Sequence, residues 1–194
     1  MLEEWSASSG SLGAYFHQDL HVAGWIHQAK PRRHVDVGSR IDGFIGHLAV
    51  FREVEVLDIR PQPQVTRNII FRQLDLMEEL PAEWTACTDS LSCLHTIEHF
   101  GLGRYGDSID PDGHLKGLDQ LKRMVEPGGL FYLSTPMGPQ RVEFNAHRIF
   151  GAPTVLGWFS DGWTIERFSY LDDREVLHED VDLAKADIEH HLGC

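Results

Sequence analysis

The strongest constraint on this chain is an alternation in which short apolar runs end in an acid or a glycine turn and are followed by segments of helical spacing. HVDVGS reads as a first strand entering a turn at Gly38, VEVLDI as a buried strand ending at Asp58, and NIIFRQLD as a third ending at Asp75. DSLSCLHTIEHF begins as a strand and turns helical, and LFYLSTP is the next strand. Between them the spacing predicts an apolar helix over Gly43 to Phe51 and another from His114 to Val125. Leu115, Leu118, Leu121 and Met124 share one stripe of the latter, and EPGG stops it. Apolar strands alternating with helices at this pace specify an α/β fold: a mostly parallel central sheet flanked by helices, with ligand sites beyond the C-terminal strand ends.

The flanks add less. Ser6 to Gly13 is a Gly/Ser-rich lead-in, and Tyr15 to Gln28 is an imperfect amphipathic helix through Phe16, Leu20, Ala23, Trp25 and Ile26, expected near the entrance of the site. The organisation expected is a lead-in and helix over residues 1–30 and a single domain over 31–194, since 194 residues suit one core. WTIERFSYL and REVLHED predict two further strands forming an antiparallel C-terminal edge, Leu183 to Leu192 a final short helix, and Glu179 to Asp187 a solvated acidic face.

Charge narrows the function classes. Seventeen Lys and Arg against 30 Asp and Glu give a net charge of −13, which opposes approach to a phosphate backbone and argues against a nucleic-acid partner. No apolar run is long enough to span a membrane, and the opening MLEEWSASSGSLG lacks the basic start and apolar stretch of a secretory signal, so a cytoplasmic location is expected. Cys87, Cys93 and Cys194 are too few and scattered for a disulfide framework and are read as reduced thiols.

A nucleotide-type cofactor needs a tight turn after the first strand and an acid at the end of the second to bind ribose hydroxyls. Asp36, Gly38 and Asp58 supply that arrangement, and Asp75 stands where an adenine amino group would be held. The order HVDVGS, VLDIRP, QLD, DSLSCLHTIEHF, PGGLFYLSTP resembles the motifs of class I, Rossmann-like S-adenosylmethionine-dependent methyltransferases across residues 33 to 136. The resemblance implies S-adenosylmethionine as cofactor and extends the binding set to Ser39, Leu94 and His95. More narrowly, CLHTIEHFGLGRYGD and RVEFNAHR look like a bacterial family of unknown function found among surface-polysaccharide genes, which implies a glycan or small-molecule acceptor. One position departs from the pattern: Arg40 stands where the glycine-rich loop has its second glycine, and a side chain there would crowd the methionine part of the cofactor.

His95-Thr96-Ile97-Glu98-His99 is the sharpest local motif, because i, i+3 and i+4 spacing puts three ligand-type side chains on one face of a helical turn. It resembles the ExxEH motif of metal-dependent O-methyltransferases, with His95 for the first Glu and His147 as a further histidine after STPMGPQ. On that resemblance His95, Glu98, His99 and His147 would hold a divalent ion. Three imidazoles and one carboxylate suit Mn²⁺, Fe²⁺, Co²⁺ or Zn²⁺ better than Mg²⁺. Two other readings stay open: His99 or His147 as a metal-free general base beside Glu98, or a purely structural Glu-His pair. Arg104, Tyr105, Asp107, Arg141, Glu143, Asn145 and Arg148 are candidates for a polar acceptor pocket or for turn chemistry, and Trp158, Phe159 and Trp163 for core packing over sugar stacking. The reading is O-methylation of a sugar or other small hydroxylated acceptor, the alternative being a non-catalytic methyltransferase-like partner in a biosynthetic complex.

Overall fold

The computed structural model describes residues 13–64 and 66–183. Helix α1, Ala14–Ala29, stops where Lys30 turns left-handed at φ 49° and donates its N–H to the Ile26 carbonyl, with Pro31 barring continuation. Strands β1 (Val35–Val37), β2 (Val54–Asp58), β3 (Ile69–Gln73), β4 (Thr88–Leu94) and β5 (Val125–Ser134) form one parallel sheet in the order β3-β2-β1-β4-β5. Strand order reverses between β1 and β4, so a crevice opens at their C-terminal ends, where ligands of such sheets bind.

Alternation along the strands sorts two apolar layers. Val35, Val37, Leu57, Leu91 and Cys93 pack on one face with Leu118, Leu121 and Met124 of a helix over Gly113–Met124 (α3), while helix α2, Gly46–Ala49, and its neighbour α1 cover the other. On that second face Val54, Val56 and Leu94 meet Val22, Ala23 and Ile26 of α1 and Phe44, Ile45 and Leu48 around α2. The helix expected over Gly43 to Phe51 is thus shorter, preceded by an irregular turn over Ile41–Ile45 and leaving Val50 83% exposed. Leu115 of the expected α3 stripe is 40% exposed and stands outside the core that Leu118, Leu121 and Met124 join.

EPGG does not stop the helix in a loop. The chain enters the sheet at Val125, opposite Thr88, and the register then jumps to Ser90 opposite Leu130, so EPGG forms a bulge in which Gly128 takes φ 82°. The third strand ends at Gln73, two residues early, leaving Asp75 in the turn beyond, where it accepts from the Met77 N–H at 2.9 Å.

After β5 come a hairpin of β6 (Arg141–Glu143) and β7 (His147–Ile149), helix α4 (Ala152–Trp158), and the antiparallel strands expected near the C-terminus, β8 (Tyr170–Leu171) and β9 (Leu177–His178). The last two pair with each other and are shorter than their apolar patterns suggest. The β6–β7 hairpin, absent from the sequence reading, brings His147 and the Ala146 carbonyl toward the end of β4. The expected helix from Leu183 to Leu192, Cys194 and most of the lead-in lie outside the described residues. No helix among the described residues is long and apolar enough to cross a membrane.

Candidate active site

The turn after β1 is built on glycine. Gly38 adopts φ 74° and its N–H donates to the Leu57 carbonyl at 2.9 Å, tying the turn to the end of β2. Beneath it Asp36 is wholly buried and accepts from the Ser39 N–H at 3.1 Å, the Ser39 hydroxyl at 2.9 Å and the Ser92 hydroxyl at 2.5 Å. Burial pushes its carboxyl up to about 7, against the pull of those three donors. The register that sets Asp36 opposite Ser92 also aligns His34, whose Nε2 lies 3.1 Å from Ser92 Oγ and whose Nδ1 lies 2.8 Å from Ser90 Oγ. Because Ser92 gives its one proton to Asp36, it accepts from His34 Nε2–H, and Nδ1 accepts from Ser90. Burial holds His34 neutral, with its pKa down to about 3.

Asp58 lies at the end of β2, as the spacing predicts, and it already has a partner. Arg60 donates to it from its backbone N–H at 2.8 Å and its guanidinium at 2.9 and 2.6 Å, and the same guanidinium stacks 4.5 Å over the Tyr105 ring. Tyr105 in turn meets the edge of His99 at 5.2 Å between ring centroids. Arg40, the departure from the loop pattern, has its guanidinium paired with Asp42 in solvent, 82% exposed.

After Leu94, buried against α1, the chain does not turn α-helical. His95 takes φ 48° and only a 3₁₀ turn, Ile97–His99, follows, so the helical face assumed for the HTIEH motif is not formed. His95 Nδ1 lies 3.1 Å from Glu98 Oε1, and Tyr15 of α1 meets the His95 ring at 5.3 Å. His99 instead turns its Nδ1–H to the Ala146 carbonyl at 2.7 Å, leaving Nε2 3.9 Å from Glu98 Oε1. His147 faces Glu143 at 3.8 Å, and its ring centroid lies 6.4 Å from that of His99.

The expected metal set of His95, Glu98, His99 and His147 is therefore not assembled. Among the described residues no three His, Cys, Asp or Glu side chains are placed to share an ion. The physical reason is the tight turn, which spends His95 on Glu98 and one His99 nitrogen on a carbonyl. The donor set does not fit a metal ion. It leaves Glu98 1% exposed with Oε2 lacking a hydrogen-bond partner among the described residues, and His99 partly accessible with a lone pair on Nε2. Desolvation lowers the His99 pKa, with Glu98 opposing.

The surrounding loop is organised by a residue whose role sequence reasoning missed. Arg148, 5% exposed, donates to the carbonyls of Glu98, Phe100, Asp110 and Pro111, fastening both ends of the 98–111 loop, and so does not line an acceptor pocket. Asp107 accepts from the Gly103 and Tyr105 N–H groups, and Arg141 pairs with Glu143, so these are turn and surface contacts. Phe159 and Trp163 pack on Phe131 at 5.7 and 6.0 Å, against the core.

A parallel sheet in this order, with a glycine turn after β1 and an acid closing β2, is a Rossmann-like fold of the kind class I methyltransferases share. The chain belongs to the family described as Caenorhabditis protein of unknown function, DUF268, whose profile matches residues 56–186. That description carries neither the bacterial source nor the surface-polysaccharide association implied by resemblance. Among solved structures the chain is similar to Burkholderia thailandensis 1,6-didemethyltoxoflavin-N1-methyltransferase, determined with bound 1,6-didemethyltoxoflavin and S-adenosylhomocysteine, at TM-score 0.56 and 17% identity over 83% of this chain and 75% of that one. It is also similar to an O-methyltransferase family protein from Burkholderia thailandensis, at TM-score 0.54 and 12% identity, covering 82% of this chain and 54% of that one. The [4+2]-cyclase SpnF matches at TM-score 0.52 and 16% identity, covering 79% and 60%. This chain thus spans less than two thirds of two of these three neighbours. Likeness at these identities speaks to the fold, and one fold hosts several chemistries. No curated protein matches the chain.

Proposed function

We propose that the protein transfers a methyl group from S-adenosylmethionine to a hydroxyl of a small molecule, a sugar or other hydroxylated acceptor. The observation that carries this reading is convergence: the Gly38 turn, Asp58 and the Glu98–His99 turn all stand at the C-terminal edge of one sheet, where its strand order reverses. The glycine turn and the acid of β2 fit a nucleoside-type cofactor. The Gly38–Ser39 turn would receive its amino-acid end and Asp58 its ribose hydroxyls, a place now shared with Arg60, while Asp75, Leu94 and His95 would line its base. When bound, the cofactor supplies an electrophilic sulfonium methyl.

The chain's own part is to orient the acceptor and take its proton. His99 Nδ1–H is committed to the Ala146 carbonyl, which fixes the tautomer and leaves Nε2 as the proton acceptor. Its lowered pKa keeps the imidazole neutral at physiological pH, so turnover is flat above neutrality and falls with acid. Glu98, buried beside it, stabilises the imidazolium that forms. Cytoplasmic location and a single functional domain belong to the same reading.

The test is methyl transfer from isotope-labelled cofactor to a panel of hydroxylated compounds. His99→Ala is expected to lower turnover by about 10²–10⁴-fold while leaving S-adenosylhomocysteine affinity within a factor of about two. Turnover that survives His99→Ala contradicts the general-base role.

A further inference from the structure

Helix α1 does more than cover one face of the sheet, because its first two turns reach the edge where the proposed cofactor site lies. Tyr15, Gln18 and Asp19 stand at i, i+3 and i+4 and share one face of the helix. Each meets a different part of that edge. The Tyr15 ring meets the His95 ring just past β4, and Gln18 accepts from the Ser134 hydroxyl at 2.5 Å where β5 ends. Asp19 lies over the loop that follows the Gly38 turn. Its Oδ2 is 3.2 Å from the point where a Cβ on Gly43 would stand, so the missing side chain of Gly43 gives the carboxylate its room.

Asp19 has no cation to itself. Its Oδ1 accepts from Gln18 Nε2 at 3.4 Å, while Oδ2 has no hydrogen-bond partner among the described residues. The side chain is partly exposed, and Oδ2, unlike Glu98 Oε2, is not cut off from solvent. Arg40, on the same loop, gives its guanidinium to Asp42, and His95 turns Nδ1 to Glu98. Burial raises the Asp19 carboxyl above its usual value, against the Gln18 hydrogen bond and the charges of His47, His95 and Arg40. Asp19 is also near enough to Asp36 to add to the rise there, which sets a second acid beside the Gly38 turn.

A carboxylate drawn partly out of water without a cation costs stability, and a ligand that brings positive charge to it supplies what the protein lacks. Resting on the methyl-transfer reading, we infer that Asp19 is the counter-ion for the ammonium group at the amino-acid end of S-adenosylmethionine, so that helix α1 contributes a binding residue to the cofactor site. Position decides between cofactor and acceptor. Asp36, Arg40 and Gly43 belong to β1 and the loop after it, where the amino-acid end is assigned, whereas the acceptor's proton is assigned to the His99 turn.

The test is calorimetric titration of three ligands into the full chain and into Asp19→Asn. S-adenosylhomocysteine carries both the ammonium and the carboxylate, S-adenosyl-3-thiopropylamine keeps only the amine, and 5′-methylthioadenosine lacks both. The expected result is that Asp19→Asn weakens the first two by about tenfold or more and leaves 5′-methylthioadenosine within a factor of about two. Without ligand the variant should unfold at a midpoint no lower than the parent's, since it loses an unpaired charge. S-adenosylhomocysteine affinity indifferent to Asp19 overturns the inference and leaves methyl transfer standing. Equal weakening of all three ligands also overturns it, because a carboxylate that merely holds the loop would act on the adenosine part they share. If the parent binds none of the three, the methyl-transfer reading falls and the inference falls with it.

Discussion

Gly38→Ala is expected to lower the thermal unfolding midpoint by about 4–20 °C. At φ 74° the residue sits in the left-handed region, where a side chain costs about 1–2 kcal/mol, and a Cβ there would fall on Thr96 Cγ2 and 2.9 Å from Thr96 Oγ1. Overpacking adds about 1–3 kcal/mol, and each kcal/mol moves the midpoint of a chain this size by about 2–4 °C. The double variant Gly38→Ala, Thr96→Ala removes both clashing atoms and should regain about half of the loss, since only the backbone part remains. A single variant as stable as the parent would mean that the turn is not held where the strand ends place it, and the proposed cofactor site would lose its floor.

The second large effect is a pH dependence hidden by compensation. Asp36 carries a folded pKa of about 7 against 3.8 unfolded, so between those values the folded state holds more protons and stability falls as pH rises. His34, folded at about 3 against 6.5 unfolded, does the opposite, so its contribution rises with pH across that window and is complete above it. The two slopes oppose each other where the windows overlap. Asp36→Asn keeps the buried shape, removes the first slope and exposes the second. Denaturant titrations of the variant and the parent at pH 4 and pH 8 should show the variant gaining on the parent by about 4 kcal/mol over that interval. A difference that does not grow with pH would show that the buried carboxyl is ionised at little cost.

These two residues mark where the sequence could be read and where it could not. Asp36, Gly38 and Asp58 were legible because a strand ending in a turn, then an acid about twenty residues on, is a local pattern that the parallel sheet converts directly into proximity. The five main strands were legible because each is an apolar run bounded by turn signals, and helices cover both faces of β1, β2 and β4. The HTIEH motif misled because the spacing rule assumes an α-helix, and the left-handed His95 followed by a 3₁₀ turn sends His99 toward Ala146. The helix does end where EPGG predicts, at Met124, but EPGG forms a bulge in β5 rather than a loop because a parallel neighbour accepts the chain at Val125, which no local signal encodes. The His34–Ser92–Asp36 chain went unread although a signal existed. Ser90 and Ser92 alternate with Leu91 and Cys93 on a strand with both faces covered, and polar residues at every second position of such a strand need buried partners. Arg148 had no such signal, since the carbonyls it gathers are brought together only by the loop.

The measurement that tests the account most directly is calorimetric titration of S-adenosylhomocysteine into the full chain, alongside Asp58→Ala and Arg60→Ala. The account predicts micromolar binding, lost by about tenfold or more in Asp58→Ala because a charge-assisted hydrogen bond to ribose disappears, and strengthened by about two- to fivefold in Arg60→Ala because the guanidinium no longer holds the same carboxylate. No detectable binding to the parent chain, or binding indifferent to Asp58, would contradict it.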